Sequence, residues 1–263
     1  MQFCYDSKYL QKILDIVSMK GKWLGATGLT NDSLGEYVKV VATGEGFRTG
    51  YYFINANPQT FVSYYLPSII EEEEEYVVEI AKFQKYLKTF SGDVEVSIVE
   101  GNCCITANGD NTQSAQFPSA IVHPNEAALN SFFKSKDVAF FGGWELEPLT
   151  WGKTQLNSQV LIQADDFISA MKSTENVGHG VYKLCVGNNG FTITSNHNNE
   201  MFASNWDETN GILTAGEAIV DFTGPVHKSI DGGSGLSIHF NDDSVVVFTM
   251  PNVTIARAPY VVV

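Results

Sequence analysis

A faint internal repeat constrains this chain more than any single motif. "EYVKVVATGEGFRTG" (Glu36 to Gly50) aligns with "GVYKLCVGNNGFTIT" (Gly180 to Thr194), so that Lys39 meets Lys183 and Gly46-Phe47 meets Gly190-Phe191. Each copy reads as an alternating strand, a polar turn closed by glycine and a second strand, because glycine tolerates the positive φ such turns need. An amphipathic helix precedes each copy. "DSKYLQKILDIVS" sets Leu10, Ile13, Leu14 and Val17 on one face, with Asp6 or Ser7 as N-cap. "ADDFISAMKSTEN" does the same with Phe167, Ile168 and Met171, capped by Asp165 or Asp166. Later in each half, "YVVEIAKFQKYLKTFSGDVEVSI" (Tyr76 to Ile98) and "EAIVDFTGPVHKSIDGGSGLSIHF" (Glu217 to Phe240) read strand, helix, strand. The helix of the second opens at Thr223, before Gly224-Pro225. Two copies of this plan make an α+β protein of two similar domains, each of antiparallel sheets with two helices.

The repeat divides the chain into a first domain over 1–120, a connector over 121–158 and a second domain over 159–263. The connector has no counterpart elsewhere, and segments this long join domains or carry function. The first half also holds an extra surface loop at "SMKGKWLGATGLTNDSLG" (Ser18 to Gly35). The acids of "IIEEEEEYV" (Ile69 to Val77) repel one another and read as a solvated loop.

Composition excludes several classes. Of 263 residues 44% are hydrophobic and 17% charged, as in ordinary globular domains. No apolar run approaches the roughly 20 residues that span a bilayer. The start, "MQFCYDSKYLQKIL", lacks a signal-peptide pattern, so an intracellular protein is expected. Cys103 and Cys104 are adjacent, Cys4 and Cys185 isolated, and the five histidines are scattered, so neither a disulfide staple nor a metal site is expected. "GEGFRTG" lies between strands and opens no helix, which removes the phosphate-loop geometry. "GGSGL" (Gly232 to Leu236) lacks a strand-to-helix turn and a partner base, and "NDD" (Asn241 to Asp243) is a tight turn. With no catalytic grouping, the expectation is a protein that is not an enzyme and needs no cofactor.

The net charge of −14 speaks against a uniformly basic surface, but charge can be segregated. The four helices carry Lys8 and Lys12; Lys82, Lys85 and Lys88; Lys172; and Lys228 beside His227. An ordinary solvated helix face explains any one of them. Four helices at equivalent positions, each with lysine, would together make a basic lining that holds phosphates without reading bases. In the connector, "NEAALNSFFKSK" (Asn125 to Lys136) sets Leu129 three residues before Phe132-Phe133. This is close to the peptide by which DNA-handling proteins hook onto a ring-shaped partner, although Glu126 stands where glutamine is usual. It reads as an amphipathic helix burying these three residues on its own domains, or as a built-in competitor for a client pocket.

Together these features resemble the DNA sliding clamp of the proliferating cell nuclear antigen (PCNA) type. The resemblance covers nearly the whole chain and lies in the order of elements. "GFRTGYYFINANPQTFVSYYLPSIIEEEEEYVVEIAKFQKYLKTFSGDVEVSI" is similar to the family's first domain, and "QKYLKTFSG" to its "SKILK" helix. "QVLIQADDFISAMKSTENVGHGVYKLCVGNNGFTITS" resembles the opening of the second domain, and "ARAPYVVV" the family's terminal "LAP". The resemblance implies a homotrimeric ring around double-stranded DNA that tethers a polymerase and other clients as a processivity factor and is placed by a clamp loader. Its DNA side would carry Lys12, Lys85, Lys88, Lys172 and Lys228. Its subunits would join by edge strands near Thr112 to Ala120 (Thr112, Ser114, Gln116) and Asn199 to Trp206 (Met201, Ala203, Asn205). Clients would dock against Tyr37, Val38, Val40 and Phe47, against Pro251, Ala258, Pro259 and Tyr260, and against the connector around Val138 to Trp144, including Phe140.

The sequence departs from the family in its connector, about twice the usual length, and in the few basic residues of its second half. Two alternatives therefore stand beside the ring. One is a divergent monomeric or heteromeric processivity or transcription factor; the other is a β-rich structural protein of the viral-coat kind.

Overall fold

The computed structural model describes residues 2–20, 34–44, 48–107, 112–133, 138–177, 180–188 and 190–260. The expected loop at 18–35 falls mostly outside them, as do Gly46 and Phe47. The first half runs β1 (Gln2–Asp6), α1 (Ser7–Val17), β2 (Tyr37–Thr43), β3 (Gly50–Ala56), β4 (Thr60–Pro67), β5 (Glu74–Glu79), α2 (Ile80–Leu87), β6 (Asp93–Val99), β7 (Asn102–Ala107) and β8 (Gln113–Pro118). The connector contains α3 (Glu126–Phe132) and a small hairpin of β9 (Leu149–Trp151) and β10 (Thr154–Leu156). The second half runs β11 (Ser158–Gln163), α4 (Ala164–Thr174), β12 (Val181–Gly187), β13 (Gly190–His197), β14 (Glu200–Trp206), β15 (Leu213–Ala215), β16 (Ala218–Thr223), β17 (Gly235–Phe240), β18 (Val246–Thr249) and β19 (Val253–Arg257).

The halves obey one pairing plan. Strand order β5-β2-β3-β4 in the first is matched by β16-β12-β13-β14 in the second, and β1-β6-β7-β8 by β11-β17-β18-β19. Registers agree too: Tyr37 faces Glu79 as Val181 faces Thr223, which keeps Lys39 equivalent to Lys183. The hairpin corrects the sequence alignment. Thr43 pairs with Gly50 as Gly187 pairs with Gly190, so Gly50, and not Gly46, is the partner of Gly190. The connection is simply longer in the first copy, 44–49 against 188–189. Inside the chain β19 pairs with β4, which fuses one sheet of each half into a nine-stranded sheet. Arg257, buried at this join, donates hydrogen bonds to Thr60 of β4, to Thr223 of β16 at 2.6 Å and to Gln59 at 3.3 Å.

The helices follow the apolar spacing. Leu10, Ile13, Leu14 and Val17 of α1 are all buried, each stabilising the fold by roughly 1.5–3 kcal/mol. Asp6 caps α1, its carboxylate accepting from the N–H groups of Lys8 and Tyr9, both at 3.0 Å. The cap expected for α4 does not form. Gln163 occupies the N-cap position without a side-chain bond, because β11 pairs as far as Gln163 and the Ala164 N–H donates to Ser234 at 3.0 Å. Asp165 and Asp166 instead lie in the first turn, where their charge suits the positive helix end. The fourth helix is a single 3-10 turn, Val226–Ser229. Gly224, at φ 98°, and Pro225 precede it, and the Asp231 to Ser234 turn follows within two residues, leaving no room for an α-helical stripe.

One main core fills the space between helices and sheets across both halves. A second, smaller core lies on the other face of the nine-stranded sheet, beneath the connector. Alternation in β3 assigns the faces: Tyr51 and Phe53 enter the main core, Tyr52, Ile54 and Ala56 the outer one.

Candidate functional site

Three surfaces gather the residues singled out by the sequence. The first is the helix layer. α2 packs on α1, α1 on the Val226–Ser229 turn, and that turn on α4, so the four lysine-bearing elements form one row. Lys8, Lys12, Lys82, Lys85, Lys88 and Lys172 are exposed and Lys228 is half-buried. The row is not purely basic. Lys12 pairs with Asp231 at 2.7 Å and Lys82 with Glu79 at 2.6 Å, while α4 carries Asp165 and Asp166 in its first turn and Lys172 in its last. Lys85 leans over the Tyr86 ring, 5.7 Å from its centroid. Burial first, then Lys228 and Lys172, push the His227 imidazole down to about 4. Glu175 lies 3.4 Å away, but its half-exposed carboxylate does not outweigh that burial. The layer is therefore a mosaic in which Lys85, Lys88 and Lys8 stand clear of any carboxylate pairing found among the described residues.

The second surface is a pair of open edges. Among the described residues no strand pairs with the outer side of β8 or of β14. By the shared plan β8 is the counterpart of β19 and β14 that of β4, the two strands that join inside the chain. Ser114, Gln116, Met201, Ala203 and Asn205 are exposed along these edges, and Thr112 is exposed just before β8. Met201 keeps 70% of its surface in water, unusual for so apolar a side chain.

The third surface is the outer face of the nine-stranded sheet, and here the connector is seated. Leu129 of α3 is fully buried among Tyr52, Ile54, Ala56, Phe61 and Tyr65. Phe132 lies 5.9 Å from the Phe61 ring and Phe133 5.3 Å from Tyr52. The Phe140 ring lies tilted against Tyr65 at 5.7 Å, with the Arg48 guanidinium 3.7 Å from the Phe140 centroid and 5.0 Å from that of Tyr65. His123 anchors the segment's start: its Nε2 donates towards Asn55 Oδ1 at 2.9 Å and the Tyr37 carbonyl at 3.1 Å, and its Nδ1 accepts from the Asn125 N–H. Burial lowers the pKa of this imidazole, which keeps it neutral and suited to both roles. Lys39, buried in β2, pairs with Glu126 at 2.7 Å and Glu75 at 3.0 Å. Burial opposes its charge, yet the bonds to Glu126 and Glu75 outweigh that and raise its pKa. Further along, the Phe141 N–H donates to Met250 and the Thr254 hydroxyl to Ala139.

The client residues expected from the sequence fall unevenly on these surfaces. Val38 and Val40 are fully buried in the main core, on the helix side of β2, and offer a partner nothing. Phe47 lies outside the described residues, as do Lys134 and Lys136 of the connector's peptide-like motif. Val138 and Phe140 pack on the outer core; Pro251 is exposed, and Tyr37, Ala258, Pro259 and Tyr260 are partly so. The residues that build the outer face, Tyr52, Ala56, Phe61 and Ala256, escaped the sequence reading. Alternation within "YYFINA" carried the signal, but both faces of β3 are apolar and neither stands out.

No protein-family model matches the chain, and no curated protein matches it in sequence. Solved structures match it in fold. PCNA of A. fulgidus, in a structure titled for the bound C-terminal region of FEN-1, superposes with TM-score 0.69 at 15% identity over 100% of this chain and 99% of its own. PCNA of Thermococcus kodakaraensis gives 0.68 at 13% identity over 98% and 99%. The DNA polymerase III beta subunit of Borrelia burgdorferi gives 0.71 at 11%, covering 100% of this chain and 63% of that one. The chain has the PCNA-type sliding-clamp fold. Among the described residues no helix is long and apolar enough to cross a membrane.

Proposed function

We propose that copies of this chain join edge to edge into a ring that encircles duplex DNA and tethers a polymerase and other clients. The observation that carries the reading is the pair of open strands. β8 and β14 repeat, between subunits, the join that β19 and β4 make within one. A head-to-tail contact of this kind closes into a ring when its rotation permits, and it removes edges that would otherwise aggregate. Carrying the internal register across sets Ser114 opposite Ala203 and Gln116 opposite Met201. Three copies of two similar domains give a pseudo-sixfold annulus with the helix layer inside. Lys85, Lys88 and Lys8, with Lys172 and Lys228, would meet phosphates there, and the neighbouring carboxylates would keep those contacts loose enough for sliding.

The reading treats the protein as a DNA-associated scaffold without chemistry of its own, placed on DNA by a loader. A ring is held by topology. Once loaded by its clamp loader, it should stay on circular DNA and be lost when that DNA is cut, while stimulating its cognate polymerase. Retention on linear DNA would favour a direct-binding processivity factor. No retention on either, with a mass that stays at 28.9 kDa, would remove the clamp reading.

A further inference from the structure

We propose that α3 is a resident surrogate for the peptide its sheet face accepts, so that an external Leu-x-x-Phe-Phe segment binds there only after α3 has left. The inference rests on the clamp reading and says which surface of the clamp is masked. What is seated on the face defines what fits it. Leu129 is enclosed, whereas Phe132 and Phe133 of the same turn lie against Phe61 and Tyr52 and remain partly exposed.

Three observations mark α3 as a cover and not as fixed core. At seven residues it is shorter than the roughly 12–15 an isolated helix needs, so it owes its form to the sheet. Asn125 supplies no side-chain cap, so beyond the His123 anchor the helix itself is tied down by the Glu126–Lys39 ion pair, and Lys39 keeps Glu75 as a second partner for its charge. The fit beneath is also incomplete. Ser63, between Phe61 and Tyr65 on β4, is wholly buried, and its hydroxyl finds no hydrogen-bond partner. Lifting α3 would bare an apolar patch of Tyr52, Ala56 and Phe61 beside Tyr65, which Phe140 still covers, and such a patch demands a replacement of the same chemistry.

The test measures binding of a labelled synthetic peptide containing Leu-x-x-Phe-Phe to the full chain. Apparent affinity is reduced by the fraction of molecules whose face is covered, so Phe132→Ala with Phe133→Ala should bind about tenfold or more tightly than the unaltered protein. Glu126→Gln, which loosens the tether and leaves the aromatics intact, should shift affinity the same way by less. It decides the matter if the double variant does not fold. An unlabelled peptide of Asn125 to Lys136 should compete on the variants. Affinity that is unchanged or weaker in Glu126→Gln and in a folded double variant overturns the proposal. Light scattering on the same samples separates the two readings. A variant that still assembles but gains no affinity overturns only the masking of this face. A chain that stays single yet gains affinity supports the masking and counts against the ring.

Discussion

At Gly190 an added Cβ would lie 2.0 Å from the Trp206 carbonyl oxygen, and at Gly50 2.2 Å from that of Leu66. Backbone cannot yield as a flexible side chain can. Gly190→Ala and Gly50→Ala should each destabilise the fold by about 1–3 kcal/mol in denaturant melts. The expectation fails if either is neutral. Sequence alignment placed Gly46 opposite Gly190, because identity outweighed a length difference that only the pairing register exposes. His239 makes a second single-residue case. Burial pushes its imidazole down to about 4 from an ordinary 6.5, so the unfolded chain binds the proton and the folded chain does not. Stability is then complete above pH 6.5 and falls as pH drops towards 4, by roughly 3 kcal/mol for this group. His239→Gln should flatten that part of the pH–stability curve. An unaltered slope would show that other groups carry it.

At the scale of elements, helices announced themselves where the apolar stripe was long. The stripes of α1, α2 and α4 were legible in "YLQKIL", "IAKFQKYL" and "FISAM", but the fourth was cut to one turn by Gly224-Pro225 and the glycines after it. The outer face was less legible, since β3 is apolar on both sides and only packing tells its helix side from its connector side, whereas in β2 Lys39 marks the connector side. Val38 and Val40, expected at the client pocket from the family resemblance, lie within the main core. The lysines split by their partners. Lys12 and Lys82 already have carboxylates, whereas Lys85 and Lys88 have no ion pair among the described residues. Lys85→Gln with Lys88→Gln should reduce the salt dependence of DNA binding by about two phosphate contacts. Lys12→Gln, whose charge is spent on Asp231, should change it by less. Equal effects would argue against the helix layer as the DNA side.

For the whole molecule, the pairing plan matters more than composition. A chain with net charge −14 gives no hint of DNA in its average, whereas the strand order leaves the outer sides of β8 and β14 unpaired among the described residues. Inside one chain β19 finds β4; in the proposed ring the same geometry would bring β8 of one copy against β14 of the next. The most direct test engineers cysteines into that register as Gln116→Cys with Met201→Cys. Directly opposed residues on paired antiparallel strands sit about 4.5–5.5 Å apart at Cα, within disulfide reach. Under mild oxidation the double variant should yield a covalent species of three times 28.9 kDa, while each single variant, and the unaltered chain with its exposed Cys4, should not. A double variant that remains a single chain with both new thiols free would contradict the ring.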